Sequence, residues 1–422
     1  MEYLHSVSLE RDKCKGCTHC IMRCPTEAIR VREGKAKIIS ERCIDCGECI
    51  RICPHRAKKA VCDSFGDLNK YKYKICLPPP ALYGQFNNMD DIDYILNGIL
   101  KCGFDALFEV SKAAEIISDY MRMMMYMDNH NTAKPVISSS CPVITRLIAV
   151  RYPNLRDNIL KILPPVELAA RTARSEALRM NPHLKSEDIG IFFITPCPAK
   201  ASYAKKPDCV KKSDIDGVIA MSDIYFKLVN EMKNIKKIEP LMSSGVIGIS
   251  WASTGGESSA LLNEKYLAAD GIKNVINVLD QIEIQSESFL ELDFIELNAC
   301  SGGCVGGVLT VENAYIARAR IQKLRKYLPL SQNYAEKNID KAEMLWESKL
   351  HHNPALKLNE DTKTALKMMI EMENIIKNLP AIDCGACGSP SCKALAEDIV
   401  RGEAAEQDCL IKMREKLNEL SV

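Results

Sequence analysis

The middle of the chain alternates short apolar runs with longer segments whose apolar residues recur at helical spacing. Residues 106–110 and 217–221 are typical of buried strands, and residues 112–127 have the spacing of an amphipathic helix. Ser222 is a predicted N-cap for a further helix that runs to Met232. This alternation is typical of parallel sheets covered by helices. We therefore predict an α/β fold with mostly parallel sheets.

Three other apolar runs lead directly into loops that carry cysteine. The runs before Cys141 and Cys197 each end in Cys-Pro, and a strand predicted at 294–297 is followed by Cys300 and Cys304 among glycines. Glycine lets a backbone approach a bulky group, and ligand sites form at the carboxyl ends of parallel strands. Four thiolates are the ligand number of a 4Fe-4S cluster. We predict that these four cysteines share one site.

The first 60 residues contain the same cysteine pattern twice. Each copy has cysteines spaced by two, two and three residues, with a proline after the last. The pattern resembles that of bacterial two-cluster ferredoxins, in which the fourth cysteine of each copy ligates the other cluster. One predicted 4Fe-4S cluster uses Cys14, Cys17, Cys20 and Cys53, and the other uses Cys43, Cys46, Cys49 and Cys24.

A third cysteine motif lies near the end of the chain and consists of Cys384, Cys387, Cys392 and Cys409. Its surroundings resemble the four-cysteine 4Fe-4S domain of corrinoid iron-sulfur proteins and of electron-transport subunits. Zinc is the chemical alternative for four thiolates. A cluster at each end of the chain predicts either two electron ports, or one port and one reporting site.

Composition narrows the classes of partner. The 422 residues carry a formal net charge of +1, so neither nucleic acid nor an anionic membrane is indicated. No apolar stretch approaches the roughly 18 residues of a membrane span, and the first residues lack the layout of a signal peptide. Twenty cysteines without such a signal indicate metal binding in preference to a secreted disulfide framework. We predict an oxygen-poor, cytoplasmic location.

The three strand-end loops resemble, in chain order, the signatures of the iron-only (FeFe) hydrogenase catalytic domain. Those signatures are Thr-Ser-Cys-Cys-Pro, Met-Pro-Cys-Thr-Ala-Lys-Lys and Glu-x-Met-Ala-Cys-x-Gly-Gly-Cys. This chain has Ser-Ser-Ser-Cys-Pro at 138–142, Thr-Pro-Cys-Pro-Ala-Lys at 195–200 and Glu-Leu-Asn-Ala-Cys-Ser-Gly-Gly-Cys at 296–304. The resemblance implies a two-lobed domain that holds an H-cluster between its lobes.

The resemblance also implies roles for individual residues. Cys141, Cys197, Cys300 and Cys304 would hold a 4Fe-4S cluster, and Cys304 would also bridge to a di-iron unit with carbon monoxide and cyanide ligands. Lys200 would donate a hydrogen bond to a cyanide, which suits an ammonium facing an anion. The catalytic residues implied in this way are Ser140, Lys200 and Cys304.

The chain departs from the family at several positions. Ser140 stands where catalytic members have a thiol that delivers protons; a thiol ionises near about 8.5, whereas a hydroxyl is far more reluctant. Thr195 and Asn298 replace two methionines and predict a more polar pocket. When residues 108–110 are aligned with the family's Phe-Asp-Thr, the acidic relay pair falls near 119–121, where the chain does not reproduce it. These departures resemble the sensory branches of the family.

Other residues are candidates for the pocket wall. Pro79, Pro80 and Ala81 follow a predicted strand and resemble a family segment that lines the di-iron pocket, although a simple strand break explains the prolines equally well. Ser253 or Thr254 would line the same pocket. Four cysteines lie outside every motif and are predicted to be buried or free thiols: Cys62, Cys76, Cys102 and Cys209.

The predicted architecture has four parts. Residues 1–74 form a two-cluster ferredoxin-like α+β domain, 75–330 an FeFe-hydrogenase H-cluster domain, 331–378 a helical connector and 379–422 a small helical 4Fe-4S domain. The connector would pack onto the hydrogenase-type domain or serve as the face of a homodimer.

Two functions are consistent with these features. In the first, the protein slowly activates H2 at an H-cluster, exchanges protons, and passes electrons through its clusters to a redox or signalling protein, as a sensor. Hydrogenase maturation proteins would supply the di-iron unit. In the second, it is an electron-transfer or iron-sulfur scaffold protein that holds the cubane cluster without the di-iron unit.

Overall fold

The computed structural model describes residues 5–87, 91–127, 132–284, 289, 291–333 and 341–420. The chain divides into two compact units. The first unit combines residues 5–60 with residues 352–420, and the second consists of the described residues between 61 and 351. No helix in these ranges is long and apolar enough to cross a membrane.

The N-terminal part of the first unit is built from short elements. They are β1 (Val7–Leu9), α1 (His19–Met22), β2 (Ile29–Arg32), β3 (Lys35–Ile38), α2 (Glu48–Arg51) and β4 (Lys58–Ala60). β1 pairs with β4 and β2 pairs with β3, both antiparallel. The apolar core is small and combines several of the motif cysteines with residues such as Val7, Ile21 and Ile29. So small a core needs another source of stability, such as a metal cluster.

The second unit contains two parallel sheets. The larger has β5 (Tyr73–Leu77), β6 (Ala106–Leu107), β8 (Ile189–Thr195) and β9 (Gly217–Ala220) in the order β6-β5-β8-β9. The smaller has β7 (Val136–Ile137), β10 (Tyr266–Asp270) and β11 (Phe294–Asn298) in the order β10-β11-β7. β8 is buried along its whole length, as expected for a parallel strand covered on both faces.

Eleven helices of the described part cover these sheets. They are α3 (Pro80–Tyr83), α4 (Ile92–Lys101), α5 (Val110–Tyr126), α6 (Pro142–Arg151), α7 (Pro165–Met180), α8 (Pro198–Lys205), α9 (Met221–Lys233), α10 (Val246–Ser250), α11 (Gly256–Ala260), α12 (Ile272–Glu283) and α13 (Ala314–Leu324). α5 and α7 share an apolar core with β5 and β8, and α4 and α9 share another. Mostly parallel sheets and covering helices confirm the predicted fold class.

The C-terminal part of the first unit is helical. It contains α14 (Thr362–Asn378), α15 (Cys392–Val400) and α16 (Leu410–Leu420). Its core includes Ile375, Leu379, Leu395 and Cys409. Asp361 caps α14 by accepting a hydrogen bond from the Thr364 amide at 2.8 Å, which fixes where that helix begins.

Two local predictions were wrong. The strand predicted at 106–110 ends at Leu107, and α5 already begins at Val110, because the side chain of Glu109 turns into a polar network with Tyr83 and Ser243. The helix predicted to start after Ser222 begins at Met221 with Ala220 as its N-cap. The Ser222 hydroxyl donates to Asp223 instead, so it leaves the backbone uncapped.

The two units also differ from the four predicted parts. The boundary after the ferredoxin-like region lies at 60/61 because the next segment packs onto the larger sheet: Asp63 exchanges two hydrogen bonds with Val218, and Leu68 joins the core of that unit. The predicted connector at 331–378 is split between the units, since Met344 packs in the second unit and α14 in the first. Its residues 334–340 lie outside the described part.

Candidate functional site

The carboxyl ends of three parallel strands bring the four predicted cysteines into one region. Cys141 is the N-cap of α6 and Cys197 is the N-cap of α8, and each is followed by a proline at the first helical position. Proline suits that position because its missing N–H would have no helical partner. Cys300 and Cys304 follow β11 across a turn formed by Gly302 and Gly303, whose φ angles of 84° and 88° favour glycine.

All four thiols lie close enough to the ammonium group of Lys200 to change its pKa. Burial lowers the pKa of Lys200, but the thiolate charges of Cys304, Cys197, Cys141 and Cys300 outweigh it and raise that pKa above its usual value. Burial raises the pKa of Cys304 to about 11, with Lys200 acting in the opposite direction. Thiols buried in this way do not ionise readily unless a cation compensates their charge. The donor set therefore fits a metal cluster.

A cavity lies next to this cysteine site. The predicted wall residues Pro79, Pro80 and Ala81 line it, and so do Ser140, Lys200, Asn298 and Cys304. α5 contributes Val110 and Ala114, and most of the residues that line the cavity are apolar. A small group bound beside Cys304 would therefore be enclosed mainly by apolar side chains, with a few polar groups directed at it.

Glu257 is a site residue that the sequence analysis missed. It lines the cavity, accepts hydrogen bonds from the Ser138 hydroxyl at 2.7 Å and from the Ser140 hydroxyl at 3.1 Å, and lies in the first turn of α11. Burial, followed by the neighbouring charge of Glu296, raises the pKa of Glu257 to about 8. A carboxyl group with that pKa exchanges protons near neutral pH. Ser140 is therefore in contact with a proton acceptor and donor.

A second buried carboxyl group lies beside the first. Glu296, on β11, also lines the cavity and accepts hydrogen bonds from the Gly255 amide at 2.9 Å and the Ser258 amide at 2.8 Å. The side-chain amide of Asn298 donates to the same carboxylate at 2.7 Å. Burial raises the pKa of Glu296, although these hydrogen bonds oppose the shift. Ser140, Glu257 and Glu296 thus form a polar row along the cavity wall.

The expected relay position does not take part in this row. Asp119 lies on α5, is 44% exposed and pairs with Arg122 at 2.8 Å. It is therefore a surface ion pair, in agreement with the prediction that the family's acidic pair is not reproduced at 119–121. The carboxyl groups of the cavity come from other segments. Glu296 was part of a quoted motif, and Glu257 follows the Gly255-Gly256 pair, but nothing in the local pattern marked either as a proton carrier.

Two substituted positions behave differently from each other. Asn298 lines the cavity and makes its wall more polar, as predicted. Thr195 is fully buried, and its hydroxyl donates to the Cys197 carbonyl at 2.8 Å while accepting from the Cys197 amide at 3.2 Å. Thr195 therefore stabilises the loop of Cys197, a predicted cluster ligand, and it is not among the residues that line the cavity.

Ser253 and Thr254 lie against the turn between Cys300 and Cys304. The Thr254 amide donates to the Gly302 carbonyl at 3.2 Å, whereas Trp251 and Ala252 are the residues of this segment that line the cavity. Among the described residues, the buried hydroxyls of Ser253 and Thr254 have no hydrogen-bond partner. Buried polar groups rarely remain unpaired. The two hydroxyls fit a site that holds an acceptor, such as the sulfides of an iron-sulfur cluster.

The N-terminal cysteines form two groups. Burial, and then the charges of Cys24, Cys49 and Cys43, raise the pKa of Cys46 well above its usual value, so the fourth cysteine of the first copy lies with the second copy. The same four cysteines line one cavity. Burial together with Cys17 and Cys14 raises the pKa of Cys20 to about 11, with Lys58 opposing. Cys53 packs on the same core, and its role as fourth ligand of the Cys20 group remains a prediction.

The C-terminal cysteines gather around a small core. Cys387 and Cys392 pack against the apolar cluster that contains buried Cys409. Burial, and to a smaller extent the charge of Cys384, raises the pKa of Cys387, although hydrogen bonds with Ser389 oppose the shift. The Asp383 carboxylate accepts a hydrogen bond from the Cys392 amide at 2.6 Å, which ties the start of α15 to the loop of Cys384. Four thiols in this arrangement fit a single metal centre.

The cysteines outside the motifs are also located. Cys76, Cys102 and Cys209 are buried, and the Cys209 thiol lies 3.1 Å from the Tyr203 hydroxyl. Burial, and then Asp223 and Cys197, raise the pKa of Cys62 to about 12, so this thiol lies near a predicted cluster ligand.

Comparison with protein families gives three matches. Residues 72–264 and 255–308, more than half of the chain, match the family described as iron only hydrogenase large subunit, C-terminal domain. Residues 6–54 match a 4Fe-4S dicluster domain, and residues 379–411 match a family described as an Fe-S cluster domain. The three matches cover the three cysteine sites described above.

Two curated proteins are similar in sequence. Iron hydrogenase 1 of Clostridium pasteurianum is 25% identical over 330 residues, which cover 65% of this chain and 55% of that protein. The chain thus spans little more than half the length of this relative. The periplasmic Fe hydrogenase large subunit of Nitratidesulfovibrio vulgaris is 25% identical over 367 residues, which cover 72% of this chain and 86% of the relative.

Solved structures show the same fold. Two variants of the FeFe-hydrogenase HydA1 from Chlamydomonas reinhardtii superimpose with TM-scores of 0.51 and 0.50, at 15% and 16% sequence identity. Each superposition covers 67% of this chain and 95% of the other. At this identity the likeness concerns the fold alone. Together with the family match over more than half of its residues, it leads to one conclusion: the chain is a member of the iron-only hydrogenase family.

Proposed function

We propose that this protein is a slow FeFe hydrogenase that activates H2 at an H-cluster and relays electrons through 4Fe-4S clusters, as a sensor of hydrogen or redox state. The observation that carries this proposal is the cavity next to Cys304, which receives both the Lys200 ammonium and the Ser140–Glu257 hydrogen bond. A di-iron unit bound there would supply the metal at which H2 is split.

The chain's own residues would perform three tasks. Cys141, Cys197, Cys300 and Cys304 would hold the cubane cluster. Lys200 would bind anionic ligands, since burial strengthens an ion pair in a low-dielectric site. Ser140 would exchange a proton with Glu257, and the hydroxyl of Ser140, which is far less acidic than a thiol, would limit the rate. A slow rate suits a protein that reports hydrogen better than one that consumes it.

Partners belong to the same proposal. Hydrogenase maturation proteins would deliver the di-iron unit, and a redox or signalling protein would exchange electrons with the clusters. The 4Fe-4S clusters would be two at the N-terminal motifs, one at the C-terminal motif and one in the H-cluster.

Infrared spectroscopy after maturation with a synthetic di-iron mimic tests the proposal. We expect carbon monoxide and cyanide bands that shift under H2, and we expect Cys304→Ser to lose them. Cys209→Ser is the matched control, because it removes a buried thiol outside the cysteine site and should keep the bands. A wild-type protein with a complete cubane cluster but without such bands would contradict the proposal and favour the alternative, an electron-transfer or scaffold protein. The polar Asn298 in the cavity wall is the observation that favours this alternative.

A further inference from the structure

The two ends of the chain meet inside the first unit. The β2 strand of the N-terminal part pairs with the loop that carries Cys387, because the Val31 amide donates to the Gly388 carbonyl at 2.8 Å. The Arg32 guanidinium donates to the Cys387 carbonyl at 3.1 Å and to the Ser389 hydroxyl at 3.0 Å. The backbone of a cluster-binding loop is thus hydrogen-bonded directly to the two-cluster domain.

Buried ion pairs hold this contact. Arg30 is 3% exposed and donates to both oxygens of Asp398, at 2.7 and 2.9 Å, and Asp398 is 1% exposed. Arg32 reaches the same carboxylate at 2.6 Å. Arg42 immediately precedes the predicted cluster ligand Cys43. Its guanidinium pairs with Glu397, the residue before Asp398 on α15. Charges buried this deeply persist only when they are paired, so the contact is fixed.

The contact also brings cysteine loops together. Gly385 lies between Cys384 and Cys387, and a Cβ on Gly385 would lie 2.9 Å from Met22 Sδ and 3.4 Å from Ile21 Cδ1. Ile21 and Met22 follow Cys20 directly on α1. At this point, the side chains of one short helical turn therefore separate the C-terminal cysteine loop from a cysteine of the two-cluster domain.

Exposure distinguishes the three sites. Of the sixteen motif cysteines, all of which lie in the described ranges, Cys384 alone is exposed. A partner protein can therefore approach the C-terminal site more closely than any other.

We propose that the C-terminal cysteine site is the electron port of this protein, and that Asp398 and Glu397 are positioning residues that hold it in direct electronic contact with the two-cluster domain. The transfer moves one electron and no atom. A cluster held by Cys384, Cys387, Cys392 and Cys409 would give one electron to a cluster of the two-cluster domain, and a reduced ferredoxin-type protein would then give one electron back to it.

Electron paramagnetic resonance of the full chain, reduced with dithionite, tests the contact. In the wild type, the signal of the C-terminal cluster should show magnetic coupling to the neighbouring clusters. Gly388→Ala should lose that coupling, because the added Cβ would overlap the Val31 carbonyl oxygen and force the loop from β2. Gly402→Ala is the matched control: both glycines have positive φ, 81° and 74°, but a Cβ on Gly402 meets nothing within 4 Å.

A second variant separates the contact from the integrity of the loop. Asp398→Asn removes the charge that pairs with Arg30 and Arg32 without touching a cysteine, and it should also lose the coupling while iron content stays at the wild-type value. Coupling that is absent in the wild type, or that survives in both Gly388→Ala and Asp398→Asn, would overturn the inferred contact.

Reduction kinetics test the port. With a reduced two-cluster ferredoxin as electron donor, the N-terminal clusters should be reduced more slowly in the Cys384→Ser variant than in the wild type. With dithionite, a small donor, they should be reduced equally fast in both proteins. Equal rates with the ferredoxin donor would refute the port. Neither experiment needs H2 or the di-iron unit, so its outcome is independent of the proposed hydrogenase activity.

Discussion

Glu257→Gln should abolish most of the hydrogen turnover if Glu257 carries protons for Ser140. The carboxamide is close in size to the carboxyl group, and its oxygen can still accept the hydrogen bonds that Ser138 and Ser140 both donate to Oε1 of Glu257, at 2.8 and 3.1 Å. It cannot take up or release a proton at neutral pH. The change therefore removes proton transfer and leaves the geometry of the cavity wall largely intact.

The size of the effect follows from the chemistry of the group. A positioned acid or base contributes about 10²- to 10⁴-fold to a rate, so we expect a loss of at least about a hundred-fold, equivalent to about 2.7 kcal/mol in the barrier. Because the pKa of Glu257 is raised to about 8, most of it is protonated at pH 7. Hydrogen oxidation needs the ionised form and should rise as pH passes about 8 in the wild type, and the variant should lack this rise.

The assay is hydrogen oxidation over a pH series, with infrared bands measured on the same samples to show that the site is loaded equally. Glu264→Gln is the matched control, because Glu264 is an exposed residue shortly after α11 and its neutralisation should leave the rate unchanged. A fully loaded Glu257→Gln protein with the wild-type rate and pH profile would refute the proton route through this carboxyl group.

Three further predictions concern other groups. Ser140→Cys should raise the rate of hydrogen oxidation by roughly ten-fold or more, since a thiol transfers protons more readily than a hydroxyl; an unchanged rate would mean that proton transfer at Ser140 does not limit turnover. In urea unfolding, Glu257→Gln should become more stable relative to wild type as pH rises from 6 to 8, by about 2.3 kcal/mol, because a pKa raised from 4.5 to about 8 makes the folded wild type lose stability over that interval; a constant difference would contradict the shift. Cys24→Ser should remove the cluster of Cys43, Cys46 and Cys49 and leave the other N-terminal cluster, as measured by iron content and paramagnetic resonance; loss of the Cys20 cluster alone would contradict the crossed ligand sets.

Two local features of the cysteine loops follow from neighbouring residues, whereas the ligand roles of these cysteines stay predictions. A Cys-Pro after an apolar run places the thiol at the first turn of a helix, and Cys141 and Cys197 both occupy that position. The glycines before Cys304 predicted a close approach of the backbone to a bulky group, and the backbone there has the positive φ angles that glycine permits. Spacing along the chain is enough to predict such features, since the residues involved are close in sequence.

The buried carboxyl group of Glu257, proposed above as a proton carrier, could not be predicted in this way. Glu257 meets Ser138 across 119 positions of sequence, and a glutamate in the first turn of a helix is ordinarily a surface residue that favours the helix dipole. Only the packing of α11 against the loop after β7 turns this common residue into a buried acid. Arg30 and Asp398 are 368 positions apart, and no periodicity connects them.

The union of both chain ends in one unit has a consequence for biosynthesis. Arg30 emerges from the ribosome long before Asp398, and until α15 is made its guanidinium lacks the carboxylate that neutralises it in the folded protein. Leaving one member of such a pair alone costs about 3–5 kcal/mol. The nascent N-terminal segment should therefore stay open to the cellular machinery that inserts iron and sulfide, and it should close only after α15 has been synthesised.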